Sequence, residues 1–125
     1  MAHILIADDE PHIIRVMRMS LEQAGYEVQF VHNGAEALES IMKTPPLALI
    51  TDIEMPVMNG KELCQKIQQE IPDREFPIFV ISSKTNLEHR QWTRDIENLS
   101  FVEKPLSLRK LISALKDTLG KTFVQ

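Results

Sequence analysis

Short apolar runs alternate along the chain with stretches in which apolar residues recur every three or four positions. The short runs are rich in β-branched side chains and predict strands that are buried on both faces. Recurrence at three and four positions predicts helices with one apolar face. The predicted strands begin at Ile4, Val28, Leu47, Ile78 and Phe101. A helix is predicted after each strand, with the weakest apolar pattern over residues 85–99.

Local signals predict where several helices begin and end. Gly25 suits a left-handed residue that ends the first helix. Asn33 is expected to cap the second helix, with Glu36 placed to complete a capping box. Ser107 is expected to cap the last helix, which we predict to end before Gly120.

Five strands that alternate with five helices predict an α/β fold, with an open parallel sheet and helices on both faces. The chain has 125 residues, a usual size for a single domain. We therefore expect residues 1–125 to form one doubly wound domain.

Composition narrows the class of protein. Lys and Arg number 14 and Asp and Glu number 18, which gives a formal net charge of −4. Because nucleic-acid binding depends on neutralising phosphates, this balance disfavours direct binding of DNA or RNA. The apolar runs are too short to span a membrane, and Cys64 is the single cysteine, as in proteins of a reducing compartment. We expect a cytoplasmic protein that binds neither membranes nor nucleic acid.

Polar side chains follow four of the predicted strands, at the edge where open α/β sheets bind ligands. They are Asp8, Asp9 and Glu10 after the first strand, Asp52 after the third, Ser82 and Ser83 after the fourth, and Lys104 after the fifth. Two carboxylates about 4–5 Å apart repel by about 3–4 kcal/mol at an effective dielectric of about 20. A hard divalent cation with oxygen ligands, such as Mg²⁺, removes that cost. The sequence therefore predicts a Mg²⁺ site at this edge.

These groups together suit phosphoryl transfer, in which catalysis consists of positioning and charge neutralisation. Lys104 offers an ammonium group to a phosphoryl oxygen, and Ser82 offers a hydroxyl donor. Asp52 is the candidate nucleophile, because it follows a central strand and is flanked by the other groups. Attack by its carboxylate would form an aspartyl-phosphate.

At these residues the chain resembles the receiver domain of bacterial two-component response regulators. The resemblance spans essentially the whole chain, and the segments that carry it are Asp8-Asp9, Thr51–Pro56 with Asn59-Gly60, Ser82-Ser83 and Lys104-Pro105. It implies a flavodoxin-like (βα)5 fold with strand order 2-1-3-4-5. It also implies a phosphoacceptor switch in a phosphorelay, with self-catalysed phosphorylation and dephosphorylation and no external substrate.

The resemblance implies a role for each residue of the site. Asp52 would accept a phosphoryl group from a sensor histidine kinase or a phosphotransfer protein. Mg²⁺ would be held by Asp9, Asp52 and the backbone carbonyl of Glu54, with Asp8 acting through water. Lys104 would pair first with Asp52 and then with the phosphoryl group.

Residues around this centre would pass on the signal. The resemblance implies that Ser82 and Phe101 form a conformational switch and that Glu54 and Lys84 tune the phosphoryl lifetime. It also implies a cis peptide bond before Pro105. The signal would reach a downstream protein partner or drive homodimer formation. Residues 97–100 replace a Gly-Ala pair that the family usually has here, in the region that commonly forms its output surface.

Other interpretations of the same residues stay open. Asp8, Asp9 and Glu10 are also typical of residues that cap a helix and complement its dipole. A phosphatase that acts through an aspartyl-phosphate would have a second acid two residues after the nucleophile, where Glu54 stands. A degenerate receiver would be a docking module that is never phosphorylated.

Overall fold

The structure is a computed structural model that describes residues 2–82, 87–104 and 107–123. Within these ranges the strands are β1 (Ile4–Ala7), β2 (Val28–Val31), β3 (Ala48–Asp52), β4 (Ile78–Ser82) and β5 (Leu99–Glu103). The helices are α1 (Pro11–Gln23), α2 (Gly34–Lys43), α3 (Gly60–Glu70), α4 (Leu87–Arg94) and α5 (Leu108–Phe123). The predicted roles of Lys84 and of the peptide bond before Pro105 fall outside the described residues, as does Ser83.

The strands form one parallel sheet in the order β2-β1-β3-β4-β5, which confirms the predicted fold. The inner strands β1, β3 and β4 are buried along their whole length, while the edge strands β2 and β5 are partly exposed. This difference follows from the order, because only inner strands have a strand on each side and helices over both faces. No described helix has the length and apolar character needed to cross a membrane.

Successive side chains of each strand point to opposite faces of the sheet, so the protein has two apolar cores. On one face, Leu5 and Leu49 pack in a cluster with residues of α2, α3 and α4. On the other face, Ile6 and Ile50 pack in a cluster with residues of α1 and α5. Because all the strands run parallel, the carboxyl ends of β1, β3, β4 and β5 lie at one edge of the sheet.

The predicted capping box at α2 is only half formed, and a complete one that was not predicted lies at α3. The Asn33 side chain accepts a hydrogen bond from the Glu36 N–H at 2.9 Å, as expected for the cap of α2. The Glu36 carboxylate, however, accepts from the His32 N–H at 3.0 Å, so the predicted capping box is wrong in its second half. A complete box lies at the start of α3, where Asn59 and Glu62 each accept from the other's N–H.

The ends of two elements also differ. Helix α5 continues to Phe123, so the predicted end before Gly120 is wrong. Gly25, by contrast, has a φ of 100° just after α1, which confirms the predicted left-handed residue. Strand β5 begins at Leu99, two positions before the predicted start at Phe101, because the β4 register pairs Leu99 with Ile78.

Val57 has a strained backbone in the loop between β3 and α3. Its φ is 68°, a region that β-branched residues strongly disfavour, and its side chain is 81% exposed. We expect Val57→Asn to raise the free energy of unfolding by about 0.5–1 kcal/mol, because Asn tolerates this conformation. Urea denaturation measures the change. Val57→Ala is the control and should gain less, and an equal gain from both variants would contradict the role of backbone strain.

Candidate functional site

Asp52 lies at the last position of β3, and hydrogen bonds hold the backbone around it. The side chain is buried, and the residue pairs with Ile81 of β4. The buried Thr51 hydroxyl donates to the Asp52 carbonyl oxygen at 2.8 Å. In the next turn, the Gly60 N–H donates to the Ile53 carbonyl oxygen at 2.8 Å. The candidate nucleophile therefore sits on a rigid part of the chain.

Gly60 approaches the Asp52 backbone so closely that no side chain fits between them. A Cβ atom at position 60 would lie 2.3 Å from the Asp52 carbonyl oxygen and 2.9 Å from the Ile53 Cα. Both obstacles are backbone atoms, so no change of rotamer relieves the clash. Glycine is required here for close packing of the start of α3 against the end of β3.

Three carboxylates meet beside the end of β3. Oxygens of Asp8, Glu10 and Asp52 lie within 4.8 Å of one another. The Glu10 N–H donates to Asp8 Oδ1 at 2.9 Å, and the Asp8 N–H donates to the Val31 carbonyl oxygen of β2 at 3.1 Å. Parallel pairing of β1 with β2 and β3 thus brings acids from separate parts of the chain together. Glu10 belongs to the predicted acidic run but had no predicted role of its own.

The capping interpretation of this acidic run is not supported at α1. Glu10 occupies the N-cap position, yet its side chain makes no capping hydrogen bond, and the first turn of α1 has no acidic residue. Pro11 begins the helix, where its missing N–H leaves one donor fewer to satisfy. The Asp8 and Glu10 carboxylates instead face Asp52.

Burial and mutual repulsion make the ionised forms of these acids costly. Burial, with a smaller effect of the Asp52 charge, raises the pKa of Asp8 from 3.8 to about 6. Burial also raises the pKa of Asp52, while Lys104 opposes the rise and Asp9 adds to it. A cluster that resists ionisation by itself is one that a bound cation would stabilise.

Lys104 supplies a positive charge next to Asp52. Its Nζ lies 3.5 Å from Asp52 Oδ1, and its side chain is only 24% exposed. The Lys104 N–H donates to the Ser82 carbonyl oxygen at 2.7 Å, which fixes the start of the side chain just beyond β5. The sequence placed Lys104 and Asp52 at one edge, and the structure brings their charged groups into contact.

The remaining predicted site residues lie around this pair. Ser82 is buried at the end of β4. Asp9 and Glu54 are exposed, and Asp9 lies outside the close group of three carboxylates. The Asp9 charge is nevertheless near enough to affect the pKa of Asp52. The close group thus contains Glu10 in place of Asp9.

Phe101 is half-buried on β5 and packs against the core beneath α2, α3 and α4. Together with Thr93, Arg94 and Leu99 it lines a cavity of about 140 Å³. The predicted switch role of Phe101 stays a prediction.

Comparisons with known proteins agree on one family. The model of the response regulator receiver domain matches residues 4–116. The response regulator MprA of Mycobacterium ulcerans is 32% identical over 122 residues, which cover 98% of this chain and 52% of that protein. The chain therefore spans about half the length of this relative.

Solved structures with similar folds include a chemotaxis response regulator and a signal receiver domain. The chemotaxis response regulator CheY4 of Vibrio cholerae has a TM-score of 0.84 and 29% identity, covering 94% of this chain and 98% of that one. The receiver domain of a signal transduction histidine kinase from Syntrophus aciditrophicus has a TM-score of 0.88 and 26% identity, covering 100% of this chain and 95% of that one.

Proposed function

Because the chain belongs to the response regulator receiver domain family, we propose that it is a phosphoacceptor switch in which Asp52 carries the phosphoryl group. The observation that supports this most strongly is the contact of the Lys104 ammonium group with Asp52, 3.5 Å away, beside two further carboxylates. We extend the proposal to residues 1–125 as one receiver domain. The donor would be a phosphohistidine of a sensor kinase or a phosphotransfer protein.

The cluster of carboxylates fits a hard divalent cation, since its ligands are oxygen atoms and burial raises the pKa of Asp8 and Asp52. We propose Mg²⁺, held by Asp9, Asp52 and the Glu54 backbone carbonyl, with Asp8 acting through water. Glu10 offers a further oxygen in the close group. When bound, the ion would neutralise the negative charge of the carboxylates and of the phosphoryl oxygens.

The transfer step uses the Asp52 carboxylate as nucleophile. One of its oxygens forms a bond to phosphorus while the P–N bond of the phosphohistidine breaks. The imidazole leaves with that electron pair, and the phosphoryl group stays on Asp52 as an acyl phosphate. Rigid placement of the Asp52 backbone by Thr51 and Gly60 would limit the movement of the carboxylate during this attack.

Lys104 and Ser82 would detect the product. Once Asp52 is phosphorylated, the Lys104 ammonium group gains phosphoryl oxygens as partners, and the Ser82 hydroxyl donates to another. Phe101 lies two positions before Glu103, the β5 residue that pairs with Ser82, and would move with Ser82. The resulting change on β5 would reach a downstream protein partner or a second copy of the chain.

The two alternative functions have less support. A phosphatase for external substrates would use Glu54 as its second acid, but the Glu54 side chain is exposed while Asp52 is buried. A degenerate docking module has no need of a lysine next to a buried acid. We therefore place self-catalysed phosphorylation of Asp52 above both.

The proposal is tested by thermal unfolding with beryllium fluoride, a phosphoryl analogue, in the presence of Mg²⁺. We expect the wild type to gain thermal stability, because the analogue binds only the folded site. Asp52→Asn should abolish the gain. Glu70→Gln on the exposed end of α3 is the control and should keep it. A wild type that shows no gain, or a gain that survives Asp52→Asn, would overturn the proposal.

A further inference from the structure

A groove of about 290 Å³ lies between α1 and the edge strand β2. We call it the α1–β2 groove and define it by six of its lining residues, Arg15, Arg18, Met19, Glu22, Phe30 and His32. It opens on the flank of the sheet, outside the carboxylate cluster described above.

The groove exposes large apolar side chains. Of the described residues, those of this kind with substantial exposure are Met19, Phe30, Met42 and Val57, and the first two line the groove. The register explains the exposure, because Phe30 of β2 pairs with Ile6 of β1. Ile6 is fully buried beneath α1, whereas Phe30 lies at the edge of the sheet, where α1 covers it only in part and leaves it 41% exposed.

The groove also carries positive charge. The Arg18 guanidinium lies 5.7 Å from the centre of the Phe30 ring, and the His32 ring meets the same ring edge-on at 5.8 Å. Arg18 pairs with Glu22 at 3.2 Å. Arg15 is exposed, and within the described structure it makes no ion pair or side-chain hydrogen bond. Two arginines against one glutamate leave this groove basic on a chain whose net charge is −4.

From this combination we infer that the α1–β2 groove docks a partner protein, through a segment in which a large apolar side chain is flanked by carboxylates. The volume suits one or two side chains and is small for a whole drug-sized molecule. The apolar side chain would cover Phe30 and Met19, and the carboxylates would pair with Arg15 and Arg18. Lysine-rich segments would be repelled by the same arginines, so the charge of the groove selects an acidic partner.

The groove is close to the proposed phosphorylation site but separate from it. Helix α1 begins directly after Glu10, and the last residue of β2 accepts a hydrogen bond from the Asp8 N–H. A partner seated in the groove therefore lies beside the carboxylates without using them. Docking is expected to persist in Asp52→Asn, which separates a failure of this inference from a failure of the proposed function.

The probe is a synthetic peptide, acetylated and amidated, of sequence Asp-Glu-Leu-Phe-Glu-Asp. Titration into the ¹⁵N-labelled chain should shift the backbone signals around Phe30 and along the Arg15 side of α1. A peptide with lysine at each acidic position should not shift them. A peptide with alanine in place of Leu-Phe should bind more weakly, because it cannot cover Phe30.

Charge reversal tests the site itself. We expect the double variant Arg15→Glu and Arg18→Glu to lower the affinity for the acidic peptide by about tenfold. The matched control is the double variant Lys43→Glu and Lys66→Glu, which makes the same charge change at exposed positions of α2 and α3. That control should bind as the wild type does, and Phe30→Ala should weaken binding without altering net charge.

Several results would overturn the inference. If both double variants weakened peptide binding equally, the peptide would be attracted only by the net charge of the chain and not by the groove. Shifts confined to another surface, or no shifts at all, would exclude the groove as the docking site. Sedimentation that shows self-association through the groove, lost in Phe30→Ala, would assign it to a second copy of the chain instead of a partner.

Discussion

Alanine at position 60 should destabilise the fold and disturb the candidate site at the same time. A Cβ there would lie 2.3 Å from the Asp52 carbonyl oxygen, so α3 or the end of β3 must move. We expect Gly60→Ala to lower the free energy of unfolding by about 1–3 kcal/mol, as overpacked cores do. The same shift would move Asp52 relative to Lys104 and reduce the gain in thermal stability that beryllium fluoride gives. Urea denaturation and the thermal assay measure the two effects.

Gly120 provides a matched control for the same substitution. It lies within α5, and a Cβ there would meet no atom within 4 Å. Gly120→Ala should therefore raise the free energy of unfolding by about 0.5–1 kcal/mol, because alanine is the better helix former. If both variants changed stability in the same direction, close packing at Gly60 would not be the cause.

Asparagine at position 8 should stabilise the metal-free protein at neutral pH. The folded state raises the pKa of Asp8 from 3.8 to about 6, so between these values the folded chain binds more protons than the unfolded chain. The contribution of Asp8 to the free energy of unfolding therefore falls as pH rises through this window, by up to about 3 kcal/mol. Asp8→Asn removes the titration but keeps the oxygen that accepts from the Glu10 N–H. We expect it to gain about 1–3 kcal/mol at pH 7.5 in EDTA and to match the wild type near pH 4.

Saturating Mg²⁺ should reduce the difference in stability between Asp8→Asn and the wild type. The reason is that the ion stabilises the folded wild type by binding its ionised cluster. The control is Asp73→Asn, an exposed acid in the loop after α3. It should leave the pH dependence of stability as in the wild type. Chemical denaturation from pH 4 to 8, with and without Mg²⁺, gives all the values. A gain from Asp8→Asn over the wild type that does not grow between pH 4 and 7.5 in EDTA would contradict burial of a costly charge at Asp8.

Much of the fold could be predicted from local patterns. Apolar runs located every strand to within a few residues, because inner strands of a parallel sheet are apolar on both faces. The meeting of Asp8, Asp52 and Lys104 also followed from the pattern, since parallel strands end at one edge. These predictions needed only periodicity and the direction of the strands.

Other features depended on the conformation of loops, which the periodicity of apolar residues does not predict. The close position of Glu10 beside Asp52 follows from the turn between β1 and α1, where Glu10 occupies the N-cap without using its side chain as a cap. The left-handed φ of 68° at Val57 is imposed by the loop that returns to Gly60. No local propensity predicts such a conformation for valine.

The turn before β5 is another case. This chain lacks the usual small residues of the family here, and Asn98 takes a φ of 55°, which Asn tolerates better than most residues. The Arg74 guanidinium reaches across from the loop after α3 and donates to the carbonyl oxygens of Glu97 and Phe76. Arg74 thus stabilises this turn through contacts that the sequence of the turn does not predict.

In the proposed function, Asp52 is the phosphoryl acceptor, and Mg²⁺ and Lys104 neutralise its charge. The most direct measurement is incubation with acetyl phosphate, reduction of any acyl phosphate with borohydride, and mapping of the modified residue by peptide mass spectrometry. We predict conversion to homoserine at position 52, dependent on Mg²⁺, and a lower yield in Lys104→Met. Modification at another residue, an equal yield in EDTA, or no modification of the folded wild type would contradict the account.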